Sequence, residues 1–340
     1  MRIGIDVMGG DNAPQAILDG AIAATEHLHT DDRLVLFGDG DIISAALDAA
    51  GADASNWEIV PTSEVIGMDE GPVDAVRSKQ DSSLVALCRA GSHREDNPLD
   101  GVISAGNTGA FVAASQMYLR RLPHVHRPGI AAPVPTFGGT VAFIDVGANI
   151  EPKPLHLCQY GVMGTVYARR ILGIENPRVA LMNVGGEEQK GTGHLKSARD
   201  MLRDTPSVNF IGFIEGRSLF DGGADVVITD GIVGNVSIKL AEGLSTGLIR
   251  KLAKDIADTH PDLVEKFDPI VGSLYAEYDY HEHGGAPLLG VNGVSLISHG
   301  SSRARTINNA VQRVRQFVVS GVNEHIVEGL AEVEEEAGVA

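Results

Sequence analysis

The sequence predicts an α/β fold built on a mainly parallel sheet that helices cover on both faces. Short apolar runs that end in Gly, Asn or Asp alternate with longer stretches of helical period up to about residue 234, and this alternation is typical of βα units. The runs VALMNV and VVIT are almost continuously apolar, as expected for strands that are buried on both faces. The 340 residues are 43% apolar and 21% charged, which is ordinary globular usage and excludes a disordered or fibrous chain.

The predicted elements follow one another without a Pro- or Ser-rich linker or an internal repeat. Residues 235–280 form a mostly helical excursion, and a long closing helix runs from about Ser302 to Leu330. We therefore expect one compact unit over residues 1–340 that contains this excursion. The predicted strands are Arg2–Val7, Arg33–Phe37, Gly101–Ser104, Thr140–Val146, Arg178–Val184, Asn209–Ile214, Asp225–Thr229, Pro287–Val291 and Val294–Ser298.

Charge and cysteine content narrow the class of protein. The net charge of −18 disfavours nucleic-acid binding, which needs a basic face. Cys88 and Cys158 provide neither a disulfide framework nor zinc spacing. No stretch is apolar enough to cross a bilayer, and the first residues enter a strand pattern without a signal peptide. We expect a soluble protein of the cytoplasm.

Glycine clusters directly after five of the predicted strands. The clusters are MGGDNAP, SAGNTGA, DVGANIEPKP, NVGGEEQKG and TDGIVGNV. Ligands of open α/β sheets bind at the carboxyl ends of strands, where glycine permits close approach and a helix N-terminus offers free N–H groups. GNTGA and DGIVGNV predict an oxyanion site, with Asn107 or Thr108 capping one helix and Asn235 the other. Tight turns with ordinary caps are the alternative explanation for any single loop.

Polar residues in these loops are the candidates for chemistry. We predict catalytic roles for Lys190, Asn235 and Asp230, because an ammonium or amide can hold phosphate or stabilise an oxyanion. The predicted phosphate ligands are Asn107, Thr108, Gly109 and Gly234, and the predicted orienting residues are Asp6, Asp11, Asp145 and Asn149. Capping is the expected role of Asp11.

No cofactor is predicted. GxGxxG after a strand, GxxxxGK[ST] and GxSxG are absent from the sequence, which disfavours dinucleotide, P-loop and acyl-enzyme sites. The pairs His124/His126 and His281/His283 invite a metal interpretation, but neither has the i, i+4 spacing of a helical zinc site.

Nine stretches, in order from residue 3 to about residue 302, resemble the bacterial phosphate acyltransferases of phospholipid synthesis. The resemblance implies a three-layer α/β/α fold like that of isocitrate and isopropylmalate dehydrogenases, shared with phosphate acetyltransferases. It implies a homodimer that converts acyl-acyl-carrier protein and phosphate to acyl phosphate for a downstream glycerol-3-phosphate acyltransferase, with peripheral membrane association. The stretches are IDVMGGDNAP, EVIGMDEGPVDAVRSKQDSSL, ISAGNTGA, RPGIAAPVPT, FIDVGANIEPKPLHLCQYGVMG, NPRVALMNVGGEEQKG, NFIGFIEG, ADVVITDGIVGNV and LISHGSS.

Carrier proteins are acidic, so a chain of charge −18 needs a local basic surface to bind one. Two zones contain no Asp or Glu, residues 101–144 and residues 283–323. We predict that at least one of them docks the carrier, although solvated helix faces would give the same pattern. The candidate docking residues are Arg120, Arg121, Arg127, Arg303 and Arg305.

The helical excursion has an apolar face at i+4 spacing. Its first part is Val236, Leu240, Leu244, Leu248, Leu252 and Ile256, which predicts packing in the core or in a dimer. Anionic lipid should attract the region only weakly, because Asp and Glu offset its Arg and Lys residues.

Two other functions remain open on the residues alone. A dehydrogenase of the same fold would use a nicotinamide cofactor, and a membrane-docked scaffold would organise acyl transfer without performing it. Release of carrier thiol with and without phosphate separates both from an acyltransferase.

Overall fold

In a computed structural model, which describes residues 1–278 and 284–336, the described residues contain one sheet of eleven strands. Its spatial order is β3-β2-β1-β4-β11-β10-β5-β6-β9-β7-β8. In chain order the strands are β1 (Arg2–Asp6), β2 (Arg33–Gly38), β3 (Trp57–Pro61), β4 (Gly101–Ser104), β5 (Gly129–Thr136), β6 (Gly139–Ile144), β7 (Arg178–Met182), β8 (Asn209–Ile214), β9 (Val226–Ile228), β10 (Ala286–Leu289) and β11 (Val294–Ile297).

The sheet consists of two parallel halves that run in opposite directions. Strands β3, β2, β1, β4 and β11 pair in parallel, and so do β6, β9, β7 and β8. The pairings β11–β10, β10–β5 and β5–β6 between the halves are antiparallel. The expected mainly parallel sheet is confirmed, but its glycine loops are divided between two oppositely directed sets of strand ends.

All nine predicted strands are present, with ends shifted by up to two residues. Sequence reasoning missed β3 and β5. Strand β5 contains Pro133 and Pro135, which argued against a strand because proline lacks an N–H group. Beyond Ile130, however, β5 pairs only with β6, so its other edge needs no donors there.

Helices cover both faces of the sheet, which confirms the three-layer α/β architecture. In β4, Val102 packs in a cluster with Leu87 and Phe111 on one face, whereas Ile103 packs with Ile307 on the other. The helices are α1 (Gln15–Ala24), α2 (Gly40–Ala50), α3 (Pro72–Ser78), α4 (Ser83–Ala90), α5 (Thr108–Tyr118), α6 (Pro154–Arg170), α7 (Gly193–Arg203), α8 (Gly231–Thr259), α9 (Val264–Tyr278), α10 (Ala304–Ser320) and α11 (Val322–Glu336).

The predicted single closing helix is wrong, because the chain breaks it at Gly321 into α10 and α11. Gly321 has φ +61°, the left-handed conformation that commonly ends a helix. Gly321 therefore ends α10, although it lies within a stretch of helical period.

The helical excursion forms α8 and α9, and its last two residues, 279–280, lie outside the described part of the chain. The apolar side chains of α8 are not covered by the chain's own core, since Val236, Leu240, Leu244, Leu248 and Leu252 are 45–68% exposed. Packing of this face within the core is therefore wrong for the single chain. Within the described residues, no helix combines the length and apolarity needed to span a membrane.

Candidate functional site

A cavity of about 910 Å³ lies between β5, α8 and loops from both halves of the sheet. Its polar lining includes Asp11, Thr108, Asn235 and His299. Its apolar lining comes mainly from β5 and α8: Ile130, Ala132, Pro133, Val134, Pro135, Ile238, Ala241, Leu244, Leu248 and Ile249. The volume lies within the range of small-molecule sites, and a few polar groups among apolar walls are typical of them.

The N-terminus of α5 supplies backbone donors to this cavity. Asn107 caps the helix, since its Oδ1 accepts from the N–H of Ala110 at 3.0 Å, as predicted. The N–H groups of Thr108 and Gly109 have no partner among the described residues, and both residues line the cavity. Two free N–H groups at the positive end of a helix favour an anion.

Asn107 itself holds the neighbouring loop in place. Its Nδ2 donates to the carbonyl oxygens of Gly67, Met68 and Glu70 at 3.1–3.2 Å. Both ends of this amide are therefore engaged within the protein, and Asn107 positions the α5 N-terminus.

The loop after β1 is fixed by Asp6. This carboxylate is buried and accepts from the hydroxyl of Ser104 at 2.7 Å and from the N–H of Met8 at 3.2 Å. Burial raises the pKa of Asp6, although these hydrogen bonds oppose the rise. Asp6 thereby joins the carboxyl ends of β1 and β4, where the cavity begins.

Asp11 lines the cavity but does not cap a helix. Pro14 occupies the N-cap position of α1, and no side chain caps that helix, so the expected capping role is wrong. The side chain of Asp11 is exposed, while its N–H donates to the carbonyl of Gly300 at 2.7 Å.

Residues 299–302 form a third loop at the cavity, which sequence reasoning did not place there. The Nδ2 of Asn12 donates to the carbonyls of Ser301 and Ser302 at 3.0 and 3.2 Å. His299 accepts at Nδ1 from the N–H of Ser301 at 3.2 Å and lines the cavity with Gly300. The motif LISHGSS carried the signal, since it also follows a strand.

Asp145 organises the loop after β6. The fully buried carboxylate accepts from the N–H groups of Ile130, Gly147, Ala148 and Asn149 at 2.6–3.2 Å. Burial raises the pKa of Asp145 despite these four bonds. The residue therefore fixes the position of Gly147, which lines the cavity.

The raised pKa of Asp145 predicts a pH-dependent difference in stability from Asp145→Asn. The folded state holds the proton more tightly than the unfolded state, so ionisation above the ordinary pKa of 3.8 lowers the free energy of unfolding of the wild type. Urea denaturation should show the stability of the wild type, relative to the variant, falling from pH 3.8 towards neutral pH. A relative stability that grows over this window would contradict the pKa direction.

Asn149 connects the loop after β6 to α8. Its Nδ2 donates to the carbonyl of Pro128 at 2.6 Å, and its own carbonyl accepts from the N–H of Gly231 at 2.8 Å. Asn149 thus holds the segment before β5, the loop after β6 and the start of α8 together.

The N-terminus of α8 offers no free donors. Asp230 caps it by accepting from the N–H groups of Ile232 and Val233 at 2.9 and 2.8 Å, so the expectation that Asn235 caps this helix is wrong. Gly234 donates to the carbonyl of Asp230 at 2.9 Å. Of the two helix N-termini that predicted an oxyanion site, only that of α5 keeps unpaired N–H groups within the described residues.

Asn235 lies in the second turn of α8 and faces the cavity. Its Nδ2 donates to the carbonyl of Val146 at 3.1 Å, which fixes the amide against the loop after β6. An amide nitrogen carries two hydrogens, so one N–H of Asn235 stays available to a ligand.

Lys190 is not among the residues that line the cavity. Its Nζ forms an ion pair with Glu187 Oε2 at 2.7 Å, and both side chains are about half exposed. The structure therefore brings together Asp11, Thr108, Gly109 and Asn235, and leaves Lys190 on the separate loop after β7.

Four charged residues of the cavity were also missed: Arg217 and Asp221, which lie between β8 and β9, and Lys239 and Glu242 on α8. Lys239 and Glu242 line it from α8, one and two turns beyond Asn235, and burial raises the pKa of Glu242. They lie on the same helix face as Asn235, because residues at i+4 and i+7 align. That periodicity was visible in the sequence.

The five candidate docking arginines are all exposed: Arg120, Arg121, Arg127, Arg303 and Arg305. The first three precede β5, and the last two lie at the start of α10. Of the two histidine pairs, His281 and His283 lie outside the described residues.

Comparison with known proteins shows the family of the chain. A sequence model of the family described as "Fatty acid synthesis protein" matches residues 1–325. A protein named phosphate acyltransferase from Heliobacterium modesticaldum is 44% identical over 333 residues, covering 96% of this chain and 98% of the relative. Its namesake from Desulforamulus reducens is 43% identical and covers 97% of each chain.

Solved structures of similar fold are phosphotransacetylases. That from Streptococcus pyogenes has a TM-score of 0.61 at 15% identity, covering 95% of this chain and 94% of the other. The EutD phosphotransacetylase from Staphylococcus aureus has a TM-score of 0.56 at 16% identity, with the same coverage. At this identity the likeness supports the fold. By its near full-length match, the chain belongs to the fatty acid synthesis protein family, among its phosphate acyltransferases.

Proposed function

We propose that this acyltransferase moves a fatty acyl group from acyl-acyl-carrier protein to inorganic phosphate, giving an acyl phosphate for phospholipid synthesis. One observation carries the proposal. The same cavity joins free helix N-terminal N–H groups and the Asn235 amide to long apolar walls. An anion fits the first part and a fatty chain fits the second.

The proposed reaction is an attack of a phosphate oxygen on the thioester carbonyl carbon. Phosphate binds at the N–H groups of Thr108 and Gly109, and Asn235 donates its available N–H to the oxyanion that forms. The new C–O bond replaces the C–S bond, and the carrier's pantetheine sulfur leaves as a thiolate that takes a proton from solvent. Phosphate is already an anion near neutral pH, so positioning and electrostatic stabilisation supply most of the catalysis. This chemistry uses no metal or redox cofactor.

Lys190 takes part in this scheme only when its loop moves towards the cavity. Its ammonium suits phosphate, but in this structure Glu187 neutralises it outside the cavity. We propose that the loop after β7 approaches the bound phosphate and exchanges the ion pair for a substrate contact.

The test is phosphate dependence of thioester loss. The wild-type protein, given acyl-acyl-carrier protein, should release carrier thiol with phosphate and not without it. Thiol release at the same rate with and without phosphate, or no thiol release at all, would contradict the proposal. Reduction of a nicotinamide cofactor would instead indicate a dehydrogenase.

We propose that the exposed apolar face of α8 packs against a second copy of the chain, giving a homodimer. Leu240 and Leu244, at 68% and 59% exposure, are large apolar side chains that water would otherwise surround, and a contiguous apolar patch marks an interaction site. Membrane contact through the same region is the alternative. The enzyme would work in the cytoplasm at the inner face of the membrane, where it would pass its acyl phosphate to a downstream glycerol-3-phosphate acyltransferase.

Leu240→Asp with Leu252→Asp, both outside the cavity lining and 68% and 45% exposed, should convert a dimer to a monomer, because the dimer would have to bury two carboxylates. Analytical ultracentrifugation measures the mass. Exposed Lys254→Asp, on the same helix, is the control. A wild-type monomer at all concentrations would overturn the proposed dimer. Phe267 and Leu274 of α9 continue the apolar pattern of the helical excursion, and loss of liposome flotation in Phe267→Asp and Leu274→Asp would favour membrane contact.

A further inference from the structure

A basic surface lies where the segment before β5 meets the first turn of α6. It consists of Arg121, His124, His126, Arg127, Lys153 and His156, and we call it the basic surface. The rings of His126 and His156 stack with centroids 6.3 Å apart. Residues far apart in sequence are therefore held on one surface.

Gln159 and Arg121 fix the backbone of this segment. Gln159 Nε2 donates to the carbonyl of His124 at 2.7 Å, and its Oε1 accepts from the N–H of His126 at 2.9 Å. Arg121 Nη1 donates to the carbonyl of His126 at 2.6 Å. The basic surface is thus built in advance of any partner, which reduces the entropy cost of binding.

The arginine and lysine charges of this surface are not neutralised within the described chain. None of Arg121, Arg127 and Lys153 forms an ion pair with a described residue, and all three side chains are exposed. Burial lowers the pKa of His156, and the positive charges of Arg127, His126 and Lys153 lower it further. Glu151 adds one acidic residue nearby in sequence. On a chain of net charge −18, this is a local excess of positive charge.

Two short segments of chain connect the basic surface to the cavity. Arg127 lies three residues before Ile130, which lines the cavity, and Lys153 ends the loop that contributes Gly147. Asn149 bonds Pro128 on one side and Gly231 of α8 on the other. A molecule docked here is therefore near the loop and helix that hold Asn235.

The second acid-free zone, residues 283–323, is a weaker candidate for the carrier dock. Arg315 there forms an ion pair with the buried Asp32, and Arg313 donates to Gln316 at 2.9 Å. That zone contributes Arg303 and Arg305 at the start of α10 and His299 in the loop after β11, and it contains no lysine.

We propose that the basic surface docks the acidic acyl carrier protein and directs its pantetheine arm into the cavity beside Asn235. This inference rests on the proposed function. Electrostatic complementarity would speed association and fix the carrier's orientation, and its effect would weaken with salt.

The test compares a large and a small acyl donor in steady-state kinetics. Arg127→Glu with Lys153→Glu should raise KM for acyl-acyl-carrier protein about tenfold or more, and added salt should reduce the difference. With acyl-pantetheine, which lacks the carrier's acidic surface, KM and kcat should equal those of the wild type. Exposed Arg250→Glu on α8 should change little.

Calorimetric titration with unacylated carrier protein tests docking without catalysis. The Arg127→Glu, Lys153→Glu protein should bind it more weakly than the wild type, whether or not acyl phosphate is formed. Unchanged binding overturns the proposed dock, and an equal KM increase with acyl-pantetheine shows damage to the cavity instead. Lost binding to anionic vesicles with carrier binding intact would assign the surface to lipid. Failure of the wild type to form acyl phosphate from either donor would overturn the proposed function alone.

Discussion

Asn235→Ala is expected to lower kcat for acyl transfer to phosphate about 10²–10³-fold, the usual effect of removing one oxyanion donor. The amide is held by its bond to the carbonyl of Val146 at 3.1 Å, so its second N–H is already oriented when the oxyanion forms. Preorganised donors act more strongly on the transition state than on the substrate. KM should therefore change much less than kcat, as steady-state kinetics will show.

The matched control is Ser245→Ala on the same helix. Ser245 also lines the cavity, but its hydroxyl donates to the carbonyl of Glu242 at 3.1 Å, so its removal should leave kcat near that of the wild type. A folded Asn235→Ala protein with near-normal turnover would show that Asn235 is not the oxyanion ligand. The turnover of Lys190→Ala, measured in the same assay, shows whether the loop after β7 takes part in catalysis. Near-normal turnover of this variant would mean that Lys190 has no role in the mechanism.

Gly234→Ala is expected to destabilise the protein by about 1–3 kcal/mol, as overpacking in a tight core does. A Cβ at this position would lie 2.1 Å from the carbonyl oxygen of Asp145 and 2.9 Å from Thr229 Cγ2. The backbone oxygen cannot move without the loop that Asp145 holds, so α8 must shift instead. That shift displaces Asn235, and activity should fall together with stability.

Gly243→Ala, in the same helix, provides a control of opposite sign. No atom lies within 4 Å of a Cβ placed there, so alanine should stabilise by about 0.5–1 kcal/mol through helix propensity. Urea denaturation of both variants measures the two effects. Equal and small changes at both positions would contradict the close approach of α8 to the loop after β6.

The sequence predicted the fold well because its strands carry local signals. All residues of β9 are apolar, as are all residues of β7 after Arg178, and a polar residue directly follows each strand. Strand β5 carries no such local signal, because it contains Pro133 and Pro135. Beyond Ile130 it pairs on one edge only, and that pairing is a property of the assembled sheet. The opposite directions of the two halves were equally invisible, because antiparallel pairing of β10 and β5 has no local signature.

The site was predicted less completely, for a physical reason. Each glycine loop was treated in the sequence analysis as a source of backbone N–H donors. An N–H group can bind a ligand, however, only if no other group in the fold accepts its hydrogen bond. Asp230 occupies the N–H groups at the start of α8, whereas those of Thr108 and Gly109 have no partner in the part of the chain that the structure describes. His299 and Glu242 were overlooked because the cavity that unites them with Asn235 exists only after folding.

Phosphorus NMR of the reaction product tests the account most directly. Wild-type protein, given acyl-acyl-carrier protein and inorganic phosphate, should produce a new acyl phosphate signal at the rate of thiol release. Asn235→Ala, at equal concentration and equally folded, should produce it far more slowly. Thiol release without an acyl phosphate signal, or an equal rate in both proteins, would contradict a cavity that transfers acyl groups to phosphate through Asn235.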